Sequence, residues 1–213
     1  AHTGNGPITF TAPIAFQESA GGERVAVAVS YALNEDGKRY GFSLGDYDRE
    51  RALVIDPLLQ STYFGGSATD VANAIAIHPT TGEVYIAGDA ASLNLPGSGG
   101  GAQTDYVDAG DGFVVRFNAA LTARLQTTYF GGNGTDRIYA LAIHPVSGDV
   151  YVAGTTDSSD LPGRLGGARF EISSGTDGFV SRLNANLTVI VQSTYFGGSG
   201  NDDVFGLAIH PIS

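Results

Sequence analysis

The stretch Gln60-Ser61-Thr62-Tyr63-Phe64-Gly65-Gly66 returns as Gln126-Thr127-Thr128-Tyr129-Phe130-Gly131-Gly132 and again as Gln192-Ser193-Thr194-Tyr195-Phe196-Gly197-Gly198. The step is 66 residues both times, from residue 60 to 126 and from 126 to 192. A fixed period of this length is typical of folds that stack copies of one supersecondary unit. The repeat therefore decides the class of fold before any single element is considered.

Other landmarks keep the same spacing. Ile77-His78-Pro79 returns at residues 143–145 and 209–211, and Asp111-Gly112-Phe113-Val114 returns at residues 177–180. Residues 60–125 and 126–191 align without a gap, and about half of their positions are identical. The 66-residue unit is thus a true structural repeat, and a third copy begins before Ser213.

Each unit predicts four short strands, because its apolar residues alternate and Gly, Pro and Asn separate them. Four antiparallel strands in tandem copies are typical of β-propeller blades. The segment between the second and third strands, residues 91–110, makes the unit longer than ordinary blades and diverges most between copies. A binding surface and unconstrained drift both explain that divergence. The predicted strands of the first unit are residues 72–78, 83–87, 113–117 and 122–130.

Two other folds are less compatible with this period. Tandem β-sandwich modules need roughly 80–100 residues and seven strands each. Gly-Gly-x-Gly-x-Asp at residues 131–136 and 197–202 is similar to a calcium-binding β-roll motif, but that motif recurs every nine residues rather than every 66. We therefore predict an all-β fold of propeller-type four-stranded blades.

The chain divides into an N-terminal β-meander or sandwich-like module, residues 1–57, and propeller repeats at residues 58–213. Within the repeats, residues 58–64 are predicted as the last strand of a preceding blade, 65–130 and 131–196 as blades, and 197–213 as the start of another. In the N-terminal module a hairpin turn is expected at residues 34–37. Its predicted strands are residues 8–12, 15–18, 25–33, 41–44 and 53–56.

These motifs resemble the bacterial SBBP family, a seven-bladed β-propeller repeat. The resemblance rests on Thr62-Tyr63-Phe64-Gly65-Gly66 with Asp70, on Val84-Tyr85-Ile86-Ala87-Gly88, and on Asp111-Gly112-Phe113-Val114 with Arg116, and it covers residues 60–213. The His-Pro pairs at 78–79, 144–145 and 210–211 depart from it, since such repeats often carry an Asp-containing turn there. Ala68 also departs, because Gly134 and Gly200 stand at the equivalent positions.

The segment before the repeats resembles the module that often precedes them. The matching pieces are Pro13-Ile14-Ala15-Phe16-Gln17, residues 24–32 and 40–44, and Ala52-Leu53-Val54-Ile55-Asp56-Pro57. The resemblance implies an exported bacterial protein in which the propeller is one module among several. It implies no particular chemistry or substrate.

Composition and net charge limit the classes of partner that this chain can bind. A net charge of −11 argues against nucleic acid, whose phosphate backbone is bound by basic surfaces. The apolar runs are far shorter than the roughly 18–20 residues that span a bilayer, and no signal peptide is present in this chain. The acidic composition, rich in Gly, Ser, Thr and Asn and with one lysine, Lys38, favours an exported, extracellular or cell-surface location.

No catalytic motif is found. The sequence has no Gly-x-Ser-x-Gly, no His-Glu-x-x-His, no Walker loop and no cysteine. We therefore predict that the chain is not an enzyme, and we assign no catalytic or cofactor-binding residue.

Three sets of repeated side chains are candidates for a site. The histidines His78, His144 and His210 lie at strand ends before a proline turn, where a structural role is expected. The tyrosine and phenylalanine pairs at 63–64, 129–130 and 195–196 are expected to pack in the core. Aspartates beside glycine turns are possible calcium ligands, although Asp and Gly also form tight turns for structural reasons. These aspartates are Asp70, Asp111, Asp136, Asp177, Asp202 and Asp203.

Two complete repeats and part of a third cannot close a propeller, which needs about four blades or more. The repeats either belong to a longer propeller or are completed by further copies of this chain. The first functional hypothesis is a non-enzymatic structural or adhesive module of an exported bacterial surface or extracellular assembly, polymerising through incomplete blades. The alternative is a glycan- or peptide-binding propeller module of a larger secreted protein, stabilised by calcium.

Overall fold

The computed structural model of the protein describes residues 2–3, 6–7, 13–19, 21–33, 40–56, 61–107 and 110–210. These residues form fifteen β-strands and no helix, which confirms the predicted all-β class. The chain separates into two compact units, residues 1–61 and residues 62–213. All the strand pairs are antiparallel, and the sheets have two to four strands. The described residues do not close into a complete propeller, so closure stays a prediction.

The N-terminal unit contains a three-stranded sheet in the order β4-β3-β7 and two hairpin-like pairs, β1-β2 and β5-β6. Because β7 returns to pair with β3, the sheet is not the consecutive meander that the sequence predicts. The predicted strand at residues 8–12 and the predicted turn at residues 34–37 lie outside the described residues. The strands are β1 (His2–Thr3), β2 (Gly6–Pro7), β3 (Ile14–Glu18), β4 (Arg24–Val27), β5 (Val29–Leu33), β6 (Tyr40–Leu44) and β7 (Leu53–Asp56).

The single strand predicted at residues 25–33 is instead two strands, β4 and β5, in different sheets. The break falls at Ala28, whose carbonyl accepts a hydrogen bond from the backbone N–H of Gly45 at 2.9 Å. A Cβ on Gly45 would lie 3.0 Å from the Cβ of Ala28, so glycine permits this close approach. Before Ala28 the chain pairs with β3, and after Ala28 it pairs with β6, although the apolar alternation of the sequence continues through this residue.

The second unit contains two four-stranded sheets with the same topology. Sheet 1 has the order β8-β9-β10-β11, and sheet 2 has the order β12-β13-β14-β15. Each strand of sheet 2 begins and ends 66 residues after its counterpart, and both first strands carry a bulge at the same place. The strands are β8 (Asp70–Ile77), β9 (Val84–Ala90), β10 (Asp111–Phe117), β11 (Arg124–Phe130), β12 (Asp136–Ile143), β13 (Val150–Thr156), β14 (Asp177–Leu183) and β15 (Ile190–Phe196).

The turns between the third and fourth strands have one conformation in both sheets. Leu121 and Leu187 adopt left-handed backbone angles, with φ of 53° and 58°. The Asn118 carboxamide accepts hydrogen bonds from the N–H groups of Thr122 and Ala123, and Asn184 does the same for Thr188 and Val189. An asparagine that bonds the backbone a few residues on stabilises such a turn.

The long segment between the second and third strands covers the outer edge of the fourth strand. In sheet 1 the N–H of Tyr129 donates to the Gln103 carbonyl at 3.0 Å, and the N–H of Thr127 donates to the Gly97 carbonyl at 3.2 Å. The Tyr129 hydroxyl, buried, accepts from the N–H of Leu95 at 2.7 Å and donates to the Ser92 carbonyl at 2.8 Å. The segment thus satisfies an edge that would otherwise be open to pairing.

Sheet 2 repeats this cover although the segment differs in sequence. Tyr195 bonds the Arg169 carbonyl at 3.0 Å, the Leu161 N–H at 3.1 Å and the Ser158 carbonyl at 2.8 Å. Backbone groups accept many of these bonds, so side chains of the segment can vary except at glycines such as Gly101 and Gly167, where an added Cβ would collide with the fourth strand. This accounts for the divergence that the sequence shows at residues 91–110.

The ends of the repeat region differ from the prediction. Residues 61–64, expected in a strand with residues 58–60, are not a strand in the structure, and residues 58–60 lie outside the described residues. Residues 204–210, which lie in the predicted start of another blade at 197–213, are not a strand either.

Candidate functional site

The two sheets of the second unit pack face to face. Their shared core holds Tyr85, Val114 and Phe130 of sheet 1 with Ile138 and Phe179 of sheet 2, all fully buried. The rings of Phe130 and Phe179 stack with their centroids 5.1 Å apart. A second core belongs to the opposite face of sheet 1, where the rings of Phe64 and Phe113 are tilted by 37° with their centroids 5.2 Å apart.

Glycine permits the close approach of the sheets. A Cβ on Gly112 would lie 2.8 Å from the Cδ1 and Cγ1 atoms of Ile138. The side chain of Asn73 also crosses the junction and donates from Nδ2 to the Ile138 carbonyl at 3.0 Å. First-strand residues of each sheet therefore contact the neighbouring repeat.

A polar group on sheet 1 holds a turn of sheet 2. The Tyr85 hydroxyl donates to the Ala185 carbonyl at 2.9 Å, and Nη1 of Arg116 donates to Oδ1 of Asn186 at 2.8 Å. Arg116 is oriented by a two-point bond to Glu83, at 3.0 Å and 2.8 Å. We name Tyr85, Arg116 and Glu83 the junction socket, and residues 184–187 the junction turn.

The charges of the socket are matched and partly buried. The hydrogen bonds from Arg116 lower the pKa of Glu83, and Glu83 raises that of Arg116. Burial raises the pKa of Tyr85 to about 12, so its hydroxyl stays a donor at physiological pH. A backbone bond from the N–H of Ala102 in the first repeat to the Leu187 carbonyl, at 2.9 Å, also joins the turn to sheet 1, and Leu187 is fully buried.

Sheet 2 carries the same socket groups as sheet 1, and sheet 1 carries the same turn as sheet 2. Among the described residues, neither of these second copies meets a complete neighbouring repeat. Tyr151, Arg182 and Asp149 on sheet 2 correspond to the socket, and Nε of Arg182 donates to Asp149 at 2.8 Å. The side chain of Arg182 is 44% exposed, whereas that of Arg116 is 18% exposed. The turn at residues 118–121 of sheet 1 corresponds to the junction turn, and its Leu121 is only half-buried. The repeat therefore carries both halves of a junction.

Residues 197–210, which we name the C-terminal segment, use part of the same junction on sheet 2. The N–H of Asp202 donates to the Thr176 carbonyl at 2.9 Å, as that of Asp136 donates to Gly110 at 2.7 Å. Val204 lies over Gly178, whose Cβ would be 2.8 Å from Cγ2 of Val204. The repeated packing of the first strand is thus partly present in the third copy.

Three of the candidate aspartates act as caps of the glycine turn. Asp70, Asp136 and Asp202 each accept a hydrogen bond from the N–H four residues earlier, at 2.7–2.8 Å. Asp136 also accepts bonds from the hydroxyls of Ser158 and Thr156. Burial, opposed by these bonds, raises the pKa of the Asp136 carboxyl to about 6.

Asp111 and Asp177 bind the end of the long covering segment. Oδ2 of Asp111 accepts from the N–H of Val107 at 3.0 Å and from Gln103 at 2.8 Å. At the second site Asp177 accepts from the N–H of Ser173 at 2.9 Å, and Arg169 stands 3.6 Å from it where the first site has Gln103. The second carboxylate thus has an arginine beside it, and the first has a neutral amide.

Carboxylates of the two sets meet at the glycine turn. A Cβ on Gly131 would lie 2.5 Å from Oδ1 of Asp111 and 2.7 Å from Oδ2 of Asp136. Gly197 stands in the same way between Asp177 and Asp202. Within the described ranges, however, no three carboxylate or imidazole groups converge to hold a metal ion. Asp203 is exposed, and Asp202 beside it is half-buried. Calcium stays a prediction.

Two of the repeated histidines accept hydrogen bonds from backbone N–H groups of their own turns. Nδ1 of His78 accepts from the N–H groups of Thr80 and Thr81 at 3.2 Å and 3.3 Å. His144 accepts from Val146 and Ser147 at 3.3 Å and 3.1 Å. The third, His210, is exposed. These contacts agree with the structural role expected of a histidine before a proline turn.

The repeated aromatic pairs are only partly in the core. Tyr129, Phe130 and Tyr195 are buried, Phe64 is half-buried, and Phe196 is exposed. Tyr63 is 91% exposed, whereas its equivalents Tyr129 and Tyr195 are buried. The expectation of core packing therefore holds for both members of the pair at 129–130, for Tyr195 but not Phe196, and not for Tyr63.

The socket and the turn were not singled out from the sequence. A usable pattern exists, because Tyr85, Arg116 and an acid at Glu83 return as Tyr151, Arg182 and Asp149. Asn-Ala-x-Leu returns likewise at residues 118–121 and 184–187. What the pattern does not show is that these groups face one another across two sheets.

Comparison with known protein families finds a match for one region of the chain. Residues 1–58 match a family described as a domain of unknown function, DUF7948. No curated protein sequence matches the chain. Across the described ranges, no helix has the length and apolarity required to cross a membrane.

Proposed function

We propose that this chain is a non-enzymatic structural or adhesive module of an exported bacterial surface or extracellular assembly, built of β-propeller-type blades. The observation that carries the proposal is the junction between sheets 1 and 2. Its socket and turn occur in each repeat, so every repeat can bind one neighbour on either face. A unit with one face for each neighbour is the design of repeat scaffolds.

The long covering segments support a scaffold role. They place backbone donors and acceptors on the outer strands, β11 and β15, and so remove the edges that cause uncontrolled pairing. Association is then directed to the faces of the sheets, where apolar side chains are exposed. The large apolar side chains exposed on the first strand of sheet 1 are Val71, Ile75 and Ile77.

Light scattering of the full chain over a range of concentrations tests this proposal. We expect a species heavier than the 21.9 kDa monomer to form without any ligand. The same samples with a calcium chelator show whether the contact needs the metal, because collapse of the heavy species would place calcium in it.

A strict monomer would contradict assembly. A monomer that binds members of a glycan or peptide array would favour the alternative function, a binding module of a larger secreted protein. Hydrolysis of a polysaccharide panel would contradict the non-enzymatic role. The three results are distinguishable on one preparation.

A further inference from the structure

We propose that the turn at residues 118–121 of one copy of this chain docks in the group Tyr151, Arg182 and Asp149 of a second copy, head to tail. This inference rests on the proposed function, because it names the surfaces through which the module assembles. The partner is a second copy, since one chain presents both halves of the contact and already joins the same halves internally.

The free turn matches the bound turn in sequence and in conformation. Asn118, Ala119 and Leu121 stand where Asn184, Ala185 and Leu187 stand in the junction turn. Both leucines are left-handed, and both asparagines bond the same backbone groups. The acceptor that Tyr85 uses, the Ala185 carbonyl, therefore has an equivalent in the Ala119 carbonyl.

One acceptor differs. Ala120 replaces Asn186, so Arg182 cannot make the bond to a carboxamide that Arg116 makes. The weaker bond of Arg116 to the Ala185 carbonyl, at 3.4 Å, has its equivalent at Ala119. We therefore expect the contact between copies to be weaker than the internal junction.

The socket on sheet 2 is formed before a partner arrives. Asp149 holds Arg182 through Nε, as Glu83 holds Arg116, so little ordering remains to be done on binding. Tyr151 is half-buried at the position of Tyr85. A pre-formed donor pair beside an exposed apolar face is suited to a turn that offers carbonyls and a leucine.

Apolar area on sheet 1 supports the same arrangement. Ile75 and Ile77 are exposed, whereas their equivalents Leu141 and Ile143 pack against the junction core. If sheet 1 of one copy packs on sheet 2 of another copy, as the two sheets pack within one chain, Ile75 and Ile77 are covered. Exposed apolar patches next to a matched polar group mark interaction surfaces.

The C-terminal segment occupies part of the surface that the second copy needs. It is held by a bond of 3.3 Å from the N–H of Val204 to the Gly154 carbonyl and by stacking of Phe205 on Tyr139 at 5.0 Å. The first strand of the second copy, β8, takes this position by displacing the segment. Phe205 is 71% exposed, so the segment is covered on one side only.

Two variants that each remove one half of the contact provide the test. Leu121→Asp removes the turn's apolar side chain, which also packs against the second core of sheet 1, and aspartate tolerates the left-handed conformation. The double variant Tyr151→Phe with Arg182→Ala removes the socket's donors. Leu165→Asp, at an exposed leucine of the second covering segment, is the matched control. Circular dichroism verifies that each variant is folded.

Sedimentation equilibrium measures the association. We expect each half variant alone to associate at least about ten-fold more weakly than the wild type and the control, since two hydrogen bonds or a buried leucine are lost. An equimolar mixture of the two half variants should form a dimer with one chain of each and nothing larger. Only a head-to-tail contact predicts this restoration.

Several results would overturn the inference. If the wild type associates and the half variants associate equally well, the contact lies elsewhere and the proposed function survives. If the wild type is monomeric, both fail. Val204→Asp, which loosens the C-terminal segment, should strengthen association; weaker association would show that the segment itself forms the contact.

Discussion

Nη1 of Arg116 donates a 2.8 Å hydrogen bond to Oδ1 of Asn186, a residue 70 positions later in the chain. The bond joins two repeats, and the guanidinium that makes it is fixed by Glu83 of its own repeat. The junction between sheets is thus held by a charged group that is 18% exposed, and not by apolar packing alone. A partly buried, two-point ion pair of this kind loses more on removal than a surface pair does.

Replacing Arg116 by alanine should destabilise the second unit. The change leaves Glu83 half-buried and uncompensated and removes the bond to Asn186, so we expect the free energy of unfolding to fall by about 2–3 kcal/mol. Urea denaturation followed by circular dichroism measures it.

Arg182→Ala is the matched control, because the same ion pair is more exposed there. A loss below about 1 kcal/mol is expected for it. Equal losses at the two positions would show that the junction contributes nothing through Arg116.

Gly154→Ala should destabilise the same unit strongly. The bulge in β12 brings the carbonyl of Arg137 against Gly154, and an added Cβ would collide with that backbone group. Backbone must move to relieve the contact, so we expect a loss of about 3 kcal/mol or more in denaturant melts. Gly200→Ala, where an added Cβ meets nothing within 4 Å, should change stability by less than about 1 kcal/mol. A tolerated Gly154→Ala would contradict the close strand crossing.

The Asp136 carboxyl should make stability depend on pH between about 4 and 6. Its pKa in the folded chain is about 6, above the usual value of 3.8, so the folded state binds the proton more tightly than the unfolded state. The stability from this group is present at low pH and is lost as pH rises through 6, by about 3 kcal/mol. Other carboxylates titrate as well, so the comparison must be with Asp136→Asn.

In Asp136→Asn the side chain keeps the shape of aspartate. The hydroxyls of Ser158 and Thr156 can rotate to accept hydrogen bonds from the asparagine amide group. Relative to the wild type, this variant should gain about 3 kcal/mol between pH 4 and 6.5 and show a constant difference from pH 7 to 8. Parallel pH profiles of the two proteins would refute the assignment to Asp136.

Tyr129→Phe should loosen the covering segment of the first repeat. The hydroxyl is buried and bonds both Leu95 and Ser92, so its loss leaves a buried N–H and a carbonyl unpaired. We expect a loss of about 1–3 kcal/mol and faster hydrogen exchange at Leu95.

Tyr195→Phe should behave alike, because Tyr195 bonds Leu161 and Ser158 in the same way. Tyr63→Phe, at the equivalent but exposed tyrosine, serves as the control. Unchanged exchange at Leu95 would mean that the segment is held by its backbone bonds alone.

The sequence by itself determined the period, the strand order within a repeat and the place of the turns. The strands Asp111–Phe117 and Asp177–Leu183 follow from local alternation and from glycine and asparagine at fixed spacing, which are properties of short segments. The structural role of His78 also follows locally, since a side chain next to its own turn needs no distant partner.

Tertiary structure alone decided which faces meet and which edges are covered. Residues 91–107 read as a variable loop, yet their backbone carbonyls accept hydrogen bonds from β11, and Gly101 permits the close approach. Tyr85, Arg116 and the turn at residues 184–187 are up to 100 positions apart, and their contact depends on how two complete sheets pack. Local patterns determine strands because neighbours in sequence set the backbone; junctions depend on surfaces that exist only after the sheets have formed.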